Sequence, residues 1–276
     1  MKILNPTQAA TDAIGQAHAP HIGVPRIVSL VPSLTELVFA LGLGEHLVGR
    51  TGFCIHPAQA VRKVAKVGGT KDIKLARILA LRPTHVLVNV DENRREDADS
   101  LRAAGINLVV THPLGPTDNL VLYDLLGTIF GVHEAAQQMS AELDRAITSA
   151  NSAYLDAAAL QVLYLIWKKP WMSISADTYI ARMLALGGLH AIAIGSEARY
   201  PEVANDAPAW RQIDAILLSS EPYPFREKHQ SALREHVSAR VMLVDGELLS
   251  WYGARAIAGV EYVTKLSRQL RIQANQ

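Results

Sequence analysis

The sequence predicts an α/β fold: two Rossmann-like α/β lobes with parallel sheets, joined by one long backbone helix. Three observations predict it. Short runs rich in Val, Ile and Leu alternate with helical patterns in both halves of the chain, as in parallel strands linked by crossover helices. Gly or Pro punctuates many of the junctions. Between the halves, Glu134 to Leu160 carries helical periodicity with no Gly or Pro inside it.

Residues 1–25 are a polar N-terminal lead-in, and residues 26–118 make the N-terminal lobe. Arg26 to Val31 reads as its first strand, after which Ser33-Leu34-Thr35-Glu36 matches a capping box opening an apolar helix that stops at Gly42 and Gly44. Leu47 to Arg50 is a second strand, Leu75 to Leu81 a helix ended by Pro83, and His85 to Val90 a third strand. Arg94 to Ala104 is a helix closed by Gly105, followed by the strand Asn107 to Val110. Residues 119–160 form a helical connector: Asn119 to Phe130, then the long backbone helix from Glu134 to Leu160, with apolar Ala135, Met139, Leu143, Ile147 and Ala150 along it. Residues 161–276 make the C-terminal lobe, with strands Val162 to Trp167, Ala215 to Ser219 and Val241 to Val244. Its helices are expected at about Thr178 to Leu186, Lys228 to His236 and Ala254 to Leu270.

Composition narrows the function. The chain has 276 residues, 49% of them hydrophobic, which is enough for two modest lobes with substantial cores. A formal net charge of +1 without a basic stripe argues against nucleic acid. The single cysteine, Cys54, excludes a disulfide framework within the chain and a cysteine-rich zinc site. No apolar run approaches the ~20 residues of a membrane span, so no membrane insertion is expected. The lead-in carries Asn5, Gln8, Thr11, Asp12, Gln16 and His18 where an export signal has its apolar region, so the chain as written reads as cytoplasmic, the alternative being an exported protein whose signal has been replaced by a start Met.

Four segments that close predicted strands hold the candidate ligand-binding residues, because open α/β folds bind ligands beyond the carboxyl ends of their strands. They contribute Phe53, Cys54 and His56; Trp167 and Trp171; Glu221, Tyr223 and Phe225; and Trp251 with Tyr252. Asn93, beyond the strand His85 to Val90, is a further candidate for a polar ligand edge. Aromatics with one polar tip suit a flat ligand gripped by stacking and edge contacts. Cys54 and His56 are two apart in expected extended chain and would face one way, but two ligands do not make a metal site. His56 therefore offers at most an axial contact to a metal already held by a macrocycle. Asp245, directly after a strand, is expected to cap the next helix. No phosphate loop, dinucleotide fingerprint or nucleophile elbow occurs, so catalytic chemistry has no positive signal.

The order of Pro25-Arg26-Ile27-Val28-Ser29-Leu30-Val31-Pro32-Ser33-Leu34-Thr35-Glu36, Val67-Gly68-Gly69-Thr70-Lys71 and Ile78-Leu79-Ala80-Leu81-Arg82-Pro83 resembles the start of the helical-backbone (class III) periplasmic binding proteins. The resemblance spans about Arg26 to Leu270 and is nearest the cobalamin-binding subgroup. It implies a non-catalytic binding protein of the kind that serves ABC importers, with cobalamin or a similar bulky metal chelate between the lobes and no intrinsic cofactor. Ferric siderophore or haem is the alternative ligand. A cytoplasmic tetrapyrrole-handling enzyme or metallochaperone, using Cys54, His56 or Glu221, is the alternative class. The resemblance also implies a docking acid on each lobe for the permease. Here the first position holds Ala76, with Asp72 upstream, and the second falls near Asp206.

Overall fold

The computed structural model describes residues 9–272. Residues 1–8 of the lead-in and 273–276 at the end of the C-terminal lobe lie outside the described residues. Contacts divide the chain into two units, the first comprising residues up to 113 with 118–142 and 252–254, the second 114–117, 143–251 and 255 onward.

In the first unit the elements run β1 (Ala10–Thr11), β2 (Ala17–His18), β3 (Ile27–Ser29), α1 (Pro32–Ala40), β4 (Leu47–Arg50), β5 (Ala65–Lys66), α2 (Leu75–Ala80), β6 (His85–Asn89), α3 (Arg95–Ala103), β7 (Asn107–Thr111) and α4 (Asp118–Phe130). Five strands pair in parallel in the order β5-β4-β3-β6-β7. All five residues of β6 are buried, as expected of a central strand covered on both faces. Val28, Leu30, Val86, Val88, Leu108 and Val110 form the centre of this core with Ile78 and Leu101 from the helices.

The long helix α5 (His133–Tyr154) begins in the first unit and ends in the second. At 1.5 Å per residue it spans about 33 Å. The second unit continues with β8 (Leu160–Leu165), α6 (Tyr179–Leu186), β9 (Leu189–Ala191), β10 (Ala215–Ser219), α7 (Glu227–Arg234), β11 (Arg240–Val244), α8 (Gly246–Ser250) and α9 (Ala256–Ile272). Its parallel sheet has the order β11-β10-β8-β9, and β10 is buried along its whole length.

Four local expectations change. Helix α1 starts at Pro32 behind Val31, with no side-chain cap, because proline pre-sets φ and has no N–H to leave unsatisfied at the first helical position. The long helix stops at Tyr154 rather than Leu160, since Leu160 is recruited by pairing with Leu189 of β9. The lead-in contains a hairpin its polar composition did not indicate. Buried Asp12 explains it: Oδ1 accepts from the Ile14 and Gln16 amides, while Oδ2 accepts from the Val110 amide and meets His18 Nε2 at 3.1 Å. With Ala13 N donating to Val110 O, the hairpin satisfies backbone groups of the edge strand β7. The strands β5 and β9 are two and three residues long, too short to leave a periodic signal.

Candidate functional site

In the second unit the carboxyl ends of β8, β10 and β11 place three aromatics in a rim. Trp167 follows β8, where its antiparallel bridge to Met172 closes the turn through Lys168 and Trp171. Its ring is 40% exposed and meets Tyr223 edge-on, with centroids 5.5 Å apart. Tyr223 is half-buried, and its hydroxyl lies 3.3 Å from His229 Nε2. His229 Nδ1 in turn accepts the Arg226 amide, which caps α7 and leaves Nε2 to carry the proton in the neutral ring. Burial, then the charges of Lys168, Lys228 and Arg226, hold this imidazole below its ordinary pKa.

Trp251 follows α8, whose first turn is capped by Asp245 Oδ1 accepting from Leu248 N, as the sequence indicates. The indole Nε1 donates to Glu221 Oε1 at 2.8 Å, and Ser250 Oγ donates to the same oxygen at 2.8 Å. The Arg255 guanidinium lies over the indole, 4.7 Å from the ring centroid, and pairs with Glu247 at 2.6 Å. Burial pushes the Glu221 carboxyl above its ordinary value, opposed by the bonds from Ser250 and Trp251 and reinforced by the charges of Glu247 and Asp245.

Other candidates turn inward. Trp171 stacks on Phe225 with ring planes 5° apart and packs edge-on against Trp210. Phe225 is itself a member of the buried core under β10 and β11. Phe225 is therefore a core residue, and half-buried Trp171 packs over its ring.

In the first unit the rim is of another kind. Phe53 is 63% exposed and Ile55 52%, in the irregular segment after β4. Phe53 packs closely over Gly69, where an added Cβ would sit 3.3 Å from its ring. Cys54 is fully buried, its sulfur accepting from Thr35 Oγ1 and paired with Thr51 Oγ1, both at 3.1 Å. Burial pushes this thiol above its ordinary value, opposed by the hydrogen bonds from Thr35 and Thr51. The shared facing of Cys54 and His56 is corrected, because β4 ends at Arg50 and two-residue alternation does not continue into the turn. His56 is half-buried in that turn. Among the described residues no group of three or more His, Cys, Asp or Glu side chains is arranged to hold a metal ion.

Asn93 is a clamp. Its Nδ2 donates to Leu30 O and Thr70 O, and its Oδ1 accepts the Asn89 amide, tying three loops together. Tyr252 is buried and donates to Glu92 Oε1 at 2.9 Å. Burial and the neighbouring Glu92 charge push its hydroxyl well above the ordinary tyrosine value. Asn93 and Tyr252 thus hold the first unit's strand-end loops in place.

Ser250, Arg255 and His229 were not singled out by the sequence, although each supports a rim aromatic. Spacing carried a faint signal for two of them: Arg255 lies four residues after Trp251, and His229 three after Arg226, the N-cap of α7.

A family model described as periplasmic binding protein matches residues 27–243. The vitamin B12-binding protein of Photorhabdus laumondii is 26% identical over 205 residues, 74% of this chain and 74% of that protein. Among solved structures, the periplasmic vitamin B12 binding protein BtuF of Vibrio cholerae superposes with a TM-score of 0.77 at 21% identity, covering 90% of this chain and 98% of that one. The periplasmic heme-binding protein RhuT from Roseiflexus sp. RS-1, in apo form, gives 0.74 at 21% identity with the same coverage. These superpositions match the two-lobed α/β fold.

Proposed function

Since the chain belongs to the periplasmic binding protein family, we propose that it is a non-catalytic substrate-binding protein for cobalamin or a similarly bulky metal chelate, serving an ABC importer. The observation that carries this reading is the rim of Trp167, Tyr223 and Trp251, two of whose members are held by polar partners. Pre-held aromatics lower the ordering cost of binding and offer large apolar faces to a flat ligand. The vitamin B12-binding relatives support the choice of corrinoid. The chelate is cargo rather than cofactor, and binding proceeds without turnover.

Haem is the second reading, favoured by the His56 imidazole in a loop with exposed Phe53 and Ile55. For the importer contact we assign exposed Asp206 as the docking acid of one lobe, whereas the other lobe's position holds uncharged, exposed Ala76, with Asp72 upstream paired to Lys74 at 2.9 Å. Among the described residues no helix is long and apolar enough to cross a membrane. The family's periplasmic character favours an exported protein over the cytoplasmic address suggested by the lead-in, and cell fractionation tests it.

The deciding experiment is an absorbance and calorimetric titration of the full chain with aquocobalamin, cyanocobalamin and haem. Submicromolar binding of both corrinoids is expected, with a spectral shift for the aquo form if His56 reaches the cobalt. Binding of haem alone would replace the corrinoid reading, and binding of none of them would remove both.

A further inference from the structure

The sequence marks Glu221 as a ligand contact, but its surroundings assign it another task. Its Oε1 already accepts two hydrogen bonds, from Trp251 Nε1 and Ser250 Oγ, each 2.8 Å long. Its backbone is held as well. Ser219 Oγ donates to Glu221 O at 2.6 Å and lies 3.3 Å from Glu221 N, and the same hydroxyl accepts from Tyr164 OH at 2.9 Å. Ser219 and Tyr164 are fully buried. A polar chain therefore runs from the core of the sheet through Ser219 and Glu221 to the indole.

Gly246 closes the arrangement from the other side. A Cβ there would lie 2.8 Å from Glu221 Cγ and 2.9 Å from Glu221 N, so the strand-end loops of β10 and β11 approach as closely as glycine allows. An indole has two side-chain torsions. A bond to Nε1 in the ring plane, together with the Arg255 cation over its face, constrains both.

We infer that Glu221 is a positioning residue, whose carboxylate locks the Trp251 indole in the orientation that meets the ligand. The inference rests on the proposed aromatic rim. A carboxylate acceptor is suited to this because charge-assisted hydrogen bonds are shorter and about twice as strong as neutral ones.

The test compares Glu221→Ala, which removes the acceptor, with Glu221→Gln, which keeps an acceptor oxygen, in the full chain with cyanocobalamin as probe. Glu221→Ala should weaken binding about tenfold or more, Glu221→Gln by about threefold at most, and Glu221→Ala should add less than about twofold in a Trp251→Phe background. The emission of Trp251, read without ligand as the difference from Trp251→Phe, should move to longer wavelength in Glu221→Ala and return in Glu221→Gln. Additive losses in the double variant, a glutamine variant as weak as the alanine one, or an unshifted Trp251 emission would overturn the assignment. Should cyanocobalamin fail to bind the wild type, the ligand reading falls and the emission comparison alone decides the positioning role. Should Glu221→Ala not fold, Ser250→Ala removes one of the two bonds to Oε1. It is expected to shift the same emission by a smaller amount, and no shift would likewise overturn the assignment.

Discussion

The strand-end rims of the two units are built on opposite principles. In the second unit Trp251 and Tyr223 are fixed by Glu221 and His229, so the side chains are arranged before a ligand arrives. In the first unit the polar candidates Cys54, Asn93 and Tyr252 are spent on holding loops, and what remains at the surface is Phe53 and Ile55. The difference teaches that residue type at a strand end does not set its role. A polar group that finds a partner among the loops is drawn inward, because leaving a buried polar group unpaired costs about 1–3 kcal/mol.

The largest effect expected from this contrast is on affinity. Replacing Trp251 and Tyr223 together by alanine should cost about 3 to 4 kcal/mol of cobalamin binding, measured by calorimetry, since anchored aromatics dominate such sites. An equal loss on replacing Phe53 alone would erase the contrast.

Acid should separate the units next. His85, buried at the start of β6 beside His21 and Phe130, is lowered to about 4, first by burial and then by the neighbouring charges of His21 and His18. The unfolded chain takes this proton near 6.5 and the folded one only near 4. His85 therefore leaves stability intact above pH 6.5, and on the order of 3 kcal/mol is lost as pH falls toward 4. All four tryptophans lie in the second unit. On acidification the circular dichroism change should precede the tryptophan emission change, and His85→Leu should flatten the pH dependence. Coincident transitions would show that the units melt together.

Gly246→Ala should be smaller still, costing about 2 kcal/mol in a denaturant melt, because its Cβ would press on Glu221 and its backbone amide. It should also disturb Trp251 emission, which a purely local strain would not. The smallest effect is expected at Phe53→Ala: stability within about 0.5 kcal/mol, as for exposed positions generally, and affinity lower by about 1 kcal/mol.

How much of this was legible depended on whether the cause was local. Val86 to Val88 and Ile216 to Leu218 announce buried parallel strands by their unbroken apolar character, and Asp245 announces a helix cap. The hairpin held by Asp12 left no such mark, since its stability comes from Val110, 98 residues away in sequence. The end of the long helix was misplaced for the same reason: Leu160 suits a helix until a strand edge competes for it.

The site divides along the same line. Trp167, Tyr223 and Trp251 were readable as rim residues because strand ends and aromatics are local features. That Phe225 belongs to the core, that Cys54 hides between two threonines and that Glu221 accepts a hydrogen bond from the Trp251 indole depended on loops meeting in three dimensions. The sequence by itself determined the α/β alternation, the long connecting helix and which segments end at the strand termini, because hydrophobic period and chain punctuation act over a few residues. Tertiary structure alone decided which of those side chains face outward, because that choice follows from packing and hydrogen bonds between segments tens of residues apart.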